Sequence, residues 1–210
     1  RLMLPTADYQ KEFRAIRVTH MNGSEKLNLG SGFDYRDGFV NADKFPECNP
    51  DILMDMEETP WAFETDQFSF LLMKHSLEHV GAEYGLFKKI IQEVYRVCQH
   101  EATVEILVPH YRHANYFSDP THVRVITEAT FHLLSKKKND EWIERKANYS
   151  MLAYDMKVNF EVIQVELVPS NEYTKFFPNV TKEQRILDGL FKMNVYKEMR
   201  ILLKVIKPFI

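Results

Sequence analysis

The chain is predicted to fold as an α/β domain: a doubly wound, seven-stranded, mostly parallel sheet whose last strand is antiparallel. Three observations predict this. Short apolar runs alternate with helix-period segments or long connections from residue 26 to residue 206. The first run ends in a glycine loop, and an acidic residue follows each of the next two. The last two long runs, 158–167 and 200–206, are placed to pair directly, with 200–206 between the fifth strand and 158–167.

The elements follow in order. Residues 1–24 read as an N-terminal helix and linker. Tyr9, Phe13 and Ile16 share one face of a helix over 6–17, Asn22-Gly23-Ser24 breaks it, and His20-Met21 marks a second start or a junction. Residues 25–210 form the main domain. Its strands are expected at 26–29, 39–42, 52–54, 68–74 and 103–108, the last stopped by Pro109. A helix over 82–97 repeats Leu86, Ile90, Ile91, Val94 and Val97 at three and four. Short helices are expected over 127–135 and 141–146, with Lys136-Lys137-Lys138 a solvated turn between them. A helix over 181–193 starts at Thr181 with Gln184 three residues on, a capping box.

Composition excludes several classes. Apolar residues make up 45% of the 210 and charged residues 27%, which rules out wholesale disorder and fibrous folds. With 27 Lys and Arg against 30 Asp and Glu, the net charge of −3 argues against a nucleic-acid partner. Cys48 and Cys98 are far apart and form no CxxC pair, so a reducing compartment is expected. No apolar run approaches ~18 residues, and no basic, apolar and small-residue leader is present, so the expected location is cytoplasmic and off the membrane.

Leu27-Asn28-Leu29-Gly30-Ser31-Gly32 is the most informative stretch. Absent Cβ atoms let a backbone turn sharply and a ligand approach. Asp43 follows the second strand and Asp55 the third, which puts both on the carboxyl edge beside the loop. A carboxylate there can accept both hydroxyl hydrogens of a ribose, and a second polar group can reach an adenine edge, with Met56 against its face. A dinucleotide fingerprint would need glycine at Tyr35, and residues 33–38 leave no room for a phosphate-binding crossover helix. A cofactor without phosphates is favoured.

With these residues the chain resembles the class I S-adenosylmethionine-dependent methyltransferases, Rossmann-like enzymes, and within them a bacterial subgroup acting on small molecules or glycans. The resemblance rests on LNLGSG, on VNAD ending at Asp43, on residues 51–57, and on His75-Ser76-Leu77-Glu78-His79. It continues through Val108-Pro109-His110 and Asp119-Pro120-Thr121-His122-Val123-Arg124. It implies S-adenosylmethionine as cofactor, with Gly30 and Gly32 along its methionine part and Asn28 and Ser31 in the same loop. Asp43 would hold the ribose, Asp55 and Met56 the adenine, and the backbone from His75 to Leu77 the sulfonium side. Three departures stand out. Asn28 replaces an acidic residue, the first crossover helix is missing, and Gln99-His100-Glu101 lacks a glycine turn before the fifth strand.

Five of the eight histidines cluster: His75 and His79 after the fourth strand, His110, His113 and His122 after the fifth. An imidazole can accept a proton as a methyl group reaches a hydroxyl. His110, nearest the strand end, is the first candidate base, with His113 and His122 as alternates and Tyr111 and Arg124 as substrate contacts. The same rings could instead hold loops through backbone or Asp119, and Glu78 and His79 read first as opening the next helix. No metal is assigned, because His75 and His79 would share a side only on a helix. No Asn/Asp-Pro-Pro-aromatic run or Pro-Cys pair marks a nucleic-acid methyltransferase. The expected activity is methyl transfer to a small-molecule or glycan acceptor, at oxygen; the alternative is a non-catalytic cofactor-binding or partner subunit of the same fold.

Overall fold

The computed structural model describes residues 25–210, so the helix expected over 6–17 lies outside the described residues. Seven strands form one sheet: β1 (Lys26–Leu29), β2 (Val40–Asp43), β3 (Ile52–Leu53), β4 (Phe68–Lys74), β5 (Cys98–Pro109), β6 (Phe160–Pro169) and β7 (Tyr196–Val205). Their order is β3-β2-β1-β4-β5-β7-β6. Neighbours among β1 to β5 pair parallel, and β7 runs antiparallel to both β5 and β6. The reversed strand therefore sits where the two late apolar runs predicted it, with Ile106 opposite Ile201 and Val165 opposite the same residue on the far side.

The central parallel strands β1 and β2 are buried on both faces, which is why they read as near-continuous runs rather than alternating ones. Helix α1 (Tyr84–Val97) lays Phe87, Ile90, Ile91, Val94 and Val97 on the sheet, all buried in the main core with Leu27, Leu71 and Val104. Each such side chain contributes roughly 1.5–3 kcal/mol on burial. Phe87 takes the core position that periodicity gave to Leu86, which is partly buried.

Several boundaries moved for identifiable reasons. β5 begins at Cys98, earlier than expected, because Glu101 adopts φ +63 and the pairing with β4 shifts register between Phe68 and Phe70. A bulge thus does the work of the missing glycine turn. The three lysines are not a turn; they open helix α4 (Lys136–Glu144), after α2 (Ala114–Ser118) and α3 (Glu128–His132). Ser135 caps α4 by accepting from Lys138 N, and Lys136–Asp140 and Lys138–Glu141 ion pairs, each 2.9 Å, support it. Short helices α5 (Leu152–Met156) and α6 (Asn171–Phe176) precede α7 (Lys182–Phe191). Thr181 caps α7 through Gln184 N at 3.2 Å, but Gln184 turns its amide to Asp188 Oδ1 at 3.0 Å, so the reciprocal half of the predicted capping box is absent. Among the described residues no helix is long and apolar enough to cross a membrane.

Candidate active site

Strands β1 to β5 all end on one edge, and the chemistry-bearing residues gather there. Gly30 leaves β1 at φ +71 and its N–H donates to Ala42 O at 2.8 Å. A Cβ on Gly30 would lie 2.5 Å from Ser76 Cβ and 3.1 Å from Met56 Cε, so glycine is required where the loops after β1, β3 and β4 meet. Gly32, at φ +51, is different: a Cβ there would meet nothing within 4 Å. The loop is closed below by Ser76 and open above at Gly32.

Asp43 ends β2 beside that opening. Its Oδ2 accepts from Gly32 N at 2.7 Å and its Oδ1 from Phe45 N at 2.9 Å. Each carboxylate oxygen keeps a second lone pair, so the group is held rigidly and can still accept from a diol. Asp55 is held in the same manner, Oδ1 accepting from Glu57 N at 2.9 Å, with Lys44 3.9 Å from Oδ2. Met56 reaches from the same turn to Gly30, and its carbonyl is fixed by Trp61 Nε1 at 3.0 Å. A pinned carboxylate, an open glycine and a polar–apolar pair one strand further fit a nucleoside with an uncharged or zwitterionic tail.

Asn28 serves the protein itself. Almost wholly buried, its amide donates to Asp34 O at 2.8 Å and Asn41 Oδ1 at 3.0 Å. Asn41 in turn donates to Asp51 Oδ2, Arg36 O and Phe39 O, and Tyr35 OH reaches Asp51 Oδ1 at 2.9 Å. Lys74 and Arg36 both bind Asp34 Oδ2, at 2.9 and 3.0 Å, and hold that carboxyl below its usual range. This network staples residues 30–39 in place of the absent crossover helix. Ser31 is buried, and its N–H joins Gly30 on Ala42 O.

Beyond Gly30 the edge continues into a second region. Ser76 Oγ donates to Leu29 O at 3.1 Å, and His75, at φ +51, donates its N–H to Leu107 O. A cavity of about 380 Å³ starts at His75 and is lined also by Glu78, His79, Asn115, Asp119, His122 and Glu198. Glu78 and His79 do not open α1; with Leu77, whose side chain is in the core, they form a 3₁₀ turn before it.

The three candidate bases occupy different places. His110 is buried, stacks on Tyr111 at 4.6 Å, and its Nδ1 accepts from Arg112 N at 3.1 Å. Burial, with Arg112 and His113 nearby, pushes its pKa down to about 4. His113 caps α2, Nδ1 accepting from Asn115 N at 3.1 Å. His122 lines the cavity, Nδ1 2.7 Å from Tyr116 O. Arg124 donates to Gly81 O at 2.5 Å with its guanidinium 4.3 Å from the Phe87 ring centroid, and Tyr111 is exposed beside Arg112. Neither Tyr111 nor Arg124 lines the cavity.

No family model and no curated protein matches the chain. Among solved structures it is similar to an S-adenosylmethionine-dependent methyltransferase from Archaeoglobus fulgidus. The identity is 12% and the TM-score 0.56, over 93% of this chain and 94% of that one. It is also similar, at 10% identity and a TM-score of 0.50, to a chain of the complex between the Haloferax volcanii Trm112 methyltransferase activator and a protein described as a methyltransferase. That likeness covers 95% of this chain and 92% of the other. The fold is Rossmann-like, with the same overall architecture as those two structures. At these identities the likeness is one of architecture, and the seven-stranded order with a reversed β7 is what carries it.

Two groups on this edge had no assignment from sequence. Lys74, Arg36 and Asp34 were given no role, although a lysine ending an apolar strand was a usable signal. The meeting of His79 with His122, ring centroids 4.6 Å apart, had no signal in spacing at all.

Proposed function

We propose that the protein is an S-adenosylmethionine-dependent methyltransferase acting in the cytoplasm on a hydroxyl of a small molecule or glycan. The observation that carries this reading is Asp43: a carboxylate pinned by Gly32 and Phe45 N–H groups, with lone pairs left for a ribose diol, beside a glycine whose Cβ position is open. Gly30, Gly32, Asp43, Asp55 and Met56 would hold the cofactor. Bound there, it supplies a methyl group on a sulfonium, an electrophile that needs no further activation.

The cavity beside His75 supports the choice of acceptor. At about 380 Å³, with carboxylates, imidazoles and Asn115 around it, it suits a sugar-sized polar molecule. His75 lines it, and the next residue, Ser76, touches the glycine loop, so an acceptor there would lie next to the cofactor's tail. Of His110, His113 and His122, the last is the residue this arrangement can use: its Nδ1 is committed to Tyr116 O, leaving Nε2 for the acceptor's proton. Holding the acceptor still would supply most of the rate.

The test is transfer of labelled methyl from S-adenosylmethionine into fractionated cell extract. Label should enter low-mass or glycan fractions, and His122→Ala should slow single-turnover transfer on the order of 10²–10⁴-fold while His113→Ala changes it little. Label confined to RNA or protein would overturn the acceptor class. Binding of S-adenosylhomocysteine with no transfer to any fraction would identify a cofactor-binding subunit instead.

A further inference from the structure

We propose that Glu78, His79 and His122 form a binding site for one divalent transition-metal ion of the zinc class. Each offers one ligand atom, and these atoms lie within 4.8 Å of one another. They come from two loops, the 3₁₀ turn after β4 and the return of the chain after α2. Backbone bonds from Val123 N and Arg124 N to Glu78 O lock those loops together.

Glu78 is the observation that asks for a ligand. It is 1% exposed, and neither carboxylate oxygen has a hydrogen-bond partner among the described residues. The nearest basic atom, His75 Nδ1, is 3.5 Å from Oε1, and that ring is shared with Glu198 at 3.6 Å. A buried carboxylate with no hydrogen bonds is costly unless a cation completes it, and this one faces the cavity.

The hydrogen bonds of the two histidines each leave one ring nitrogen with a free lone pair. His122 Nδ1 is 2.7 Å from Tyr116 O; a carbonyl only accepts, so the proton is on Nδ1 and Nε2 carries a lone pair. His79 Nδ1 is 2.8 Å from Thr121 Oγ1, whose one hydrogen goes to Asp119 Oδ1 at 2.6 Å. The hydroxyl must therefore accept from His79, and again Nε2 is left as the donor of electrons. Partners of this kind, a carbonyl and a hydroxyl backed by a carboxylate, fix the tautomer of metal-binding imidazoles. Two imidazoles and one carboxylate suit zinc and its neighbours better than calcium or magnesium. Three protein ligands leave a coordination position open toward the cavity. With an ion on Nε2, His122 could not itself take the acceptor's proton as proposed above; the ion would replace it by making a bound hydroxyl more acidic. The site itself stands apart from methyl transfer, because its test contains no cofactor and no acceptor.

Full-length protein stripped by chelator would be titrated with Zn²⁺ by calorimetry and with Co²⁺ by visible absorption. One equivalent should bind. Glu78→Gln, His79→Ala and His122→Ala should each weaken it at least ~100-fold, and Thr121→Val, which removes only the outer partner, ~10–100-fold. His132→Ala, which breaks the exposed His132–Glu128 pair, should change nothing. Proton spectra of the Co²⁺ form should show two shifted, exchangeable imidazole N–H signals, which locates the ion even if the ligand variants fail to fold. No stoichiometric binding by the wild type, shifted signals from fewer than two imidazoles, or equal affinity in folded ligand variants would overturn the site.

Discussion

Asn41 and Glu78 are almost equally buried, at 0% and 1% exposure, on either side of the glycine loop. Asn41 uses its whole side chain: the amide donates to Arg36 O, Phe39 O and Asp51, and the oxygen accepts from Arg36 N and Asn28. Glu78 uses its side chain for no hydrogen bond. One half of the carboxyl edge is thus a finished structure built around Asp43 and Gly32. The other half keeps buried polar atoms in reserve, at a cost the fold has to carry elsewhere. The difference separates residues that position a site from residues that await something in it.

The largest expected effect breaks the finished half. Gly30→Ala would force a Cβ to 2.5 Å from Ser76 Cβ at φ +71, and should cost about 2–5 kcal/mol in urea unfolding. Gly32→Ala shares the positive φ but meets no atom, so it should cost only about 1–2 kcal/mol. Equal losses would mean that the loops after β1 and β4 are not in contact.

The comparison between Asn41 and Glu78 can be measured directly in metal-free protein. Asn41→Ala leaves the Asp51, Arg36 and Asn28 groups short of partners and should destabilise by roughly 2–3 kcal/mol. Glu78→Gln removes a buried charge and no hydrogen bond, so stability should stay within about 1 kcal/mol or rise. A loss at Glu78 as large as that at Asn41 would show that the carboxylate is already satisfied.

A smaller effect comes from His110. Its pKa in the folded state, about 4, lies below the ordinary 6.5, so the unfolded chain binds more protons between those values. Its contribution is therefore constant above pH 6.5 and is lost as pH falls toward 4. Chemical unfolding at pH 7 and pH 5 should show a smaller drop in His110→Gln than in the wild type. An identical drop would place the ring in water.

How far the sequence could be read follows the same division. The first half was legible because its signals are local: a strand ending in Gly-Ser-Gly, and carboxylates just past the next two strands. Asn28 was placed with the cofactor by the resemblance of LNLGSG, yet what it bonds depends on Asn41, which no periodicity marks. In the second half His110 was ranked first for being nearest the end of β5. That nearness turns its ring under Tyr111 and Tyr196, whereas His122 reaches the cavity because α2 and the Asp119 turn carry the chain back to Glu78. Contacts made by a returning loop leave no trace in spacing. The bulge at Glu101 and the ion pairs that turn three lysines into a helix start were hidden for a related reason, since tertiary partners outweighed local preference.

The most direct test of the account is calorimetric titration of S-adenosylhomocysteine into the wild type and into Asp43→Ala, with NAD as the competing ligand. The account predicts one site in the wild type, affinity at least tenfold weaker in the variant through loss of charged hydrogen bonds worth roughly 1.5–3 kcal/mol each, and no heat with NAD. Unchanged affinity in Asp43→Ala, or binding of NAD in place of S-adenosylhomocysteine, would contradict it.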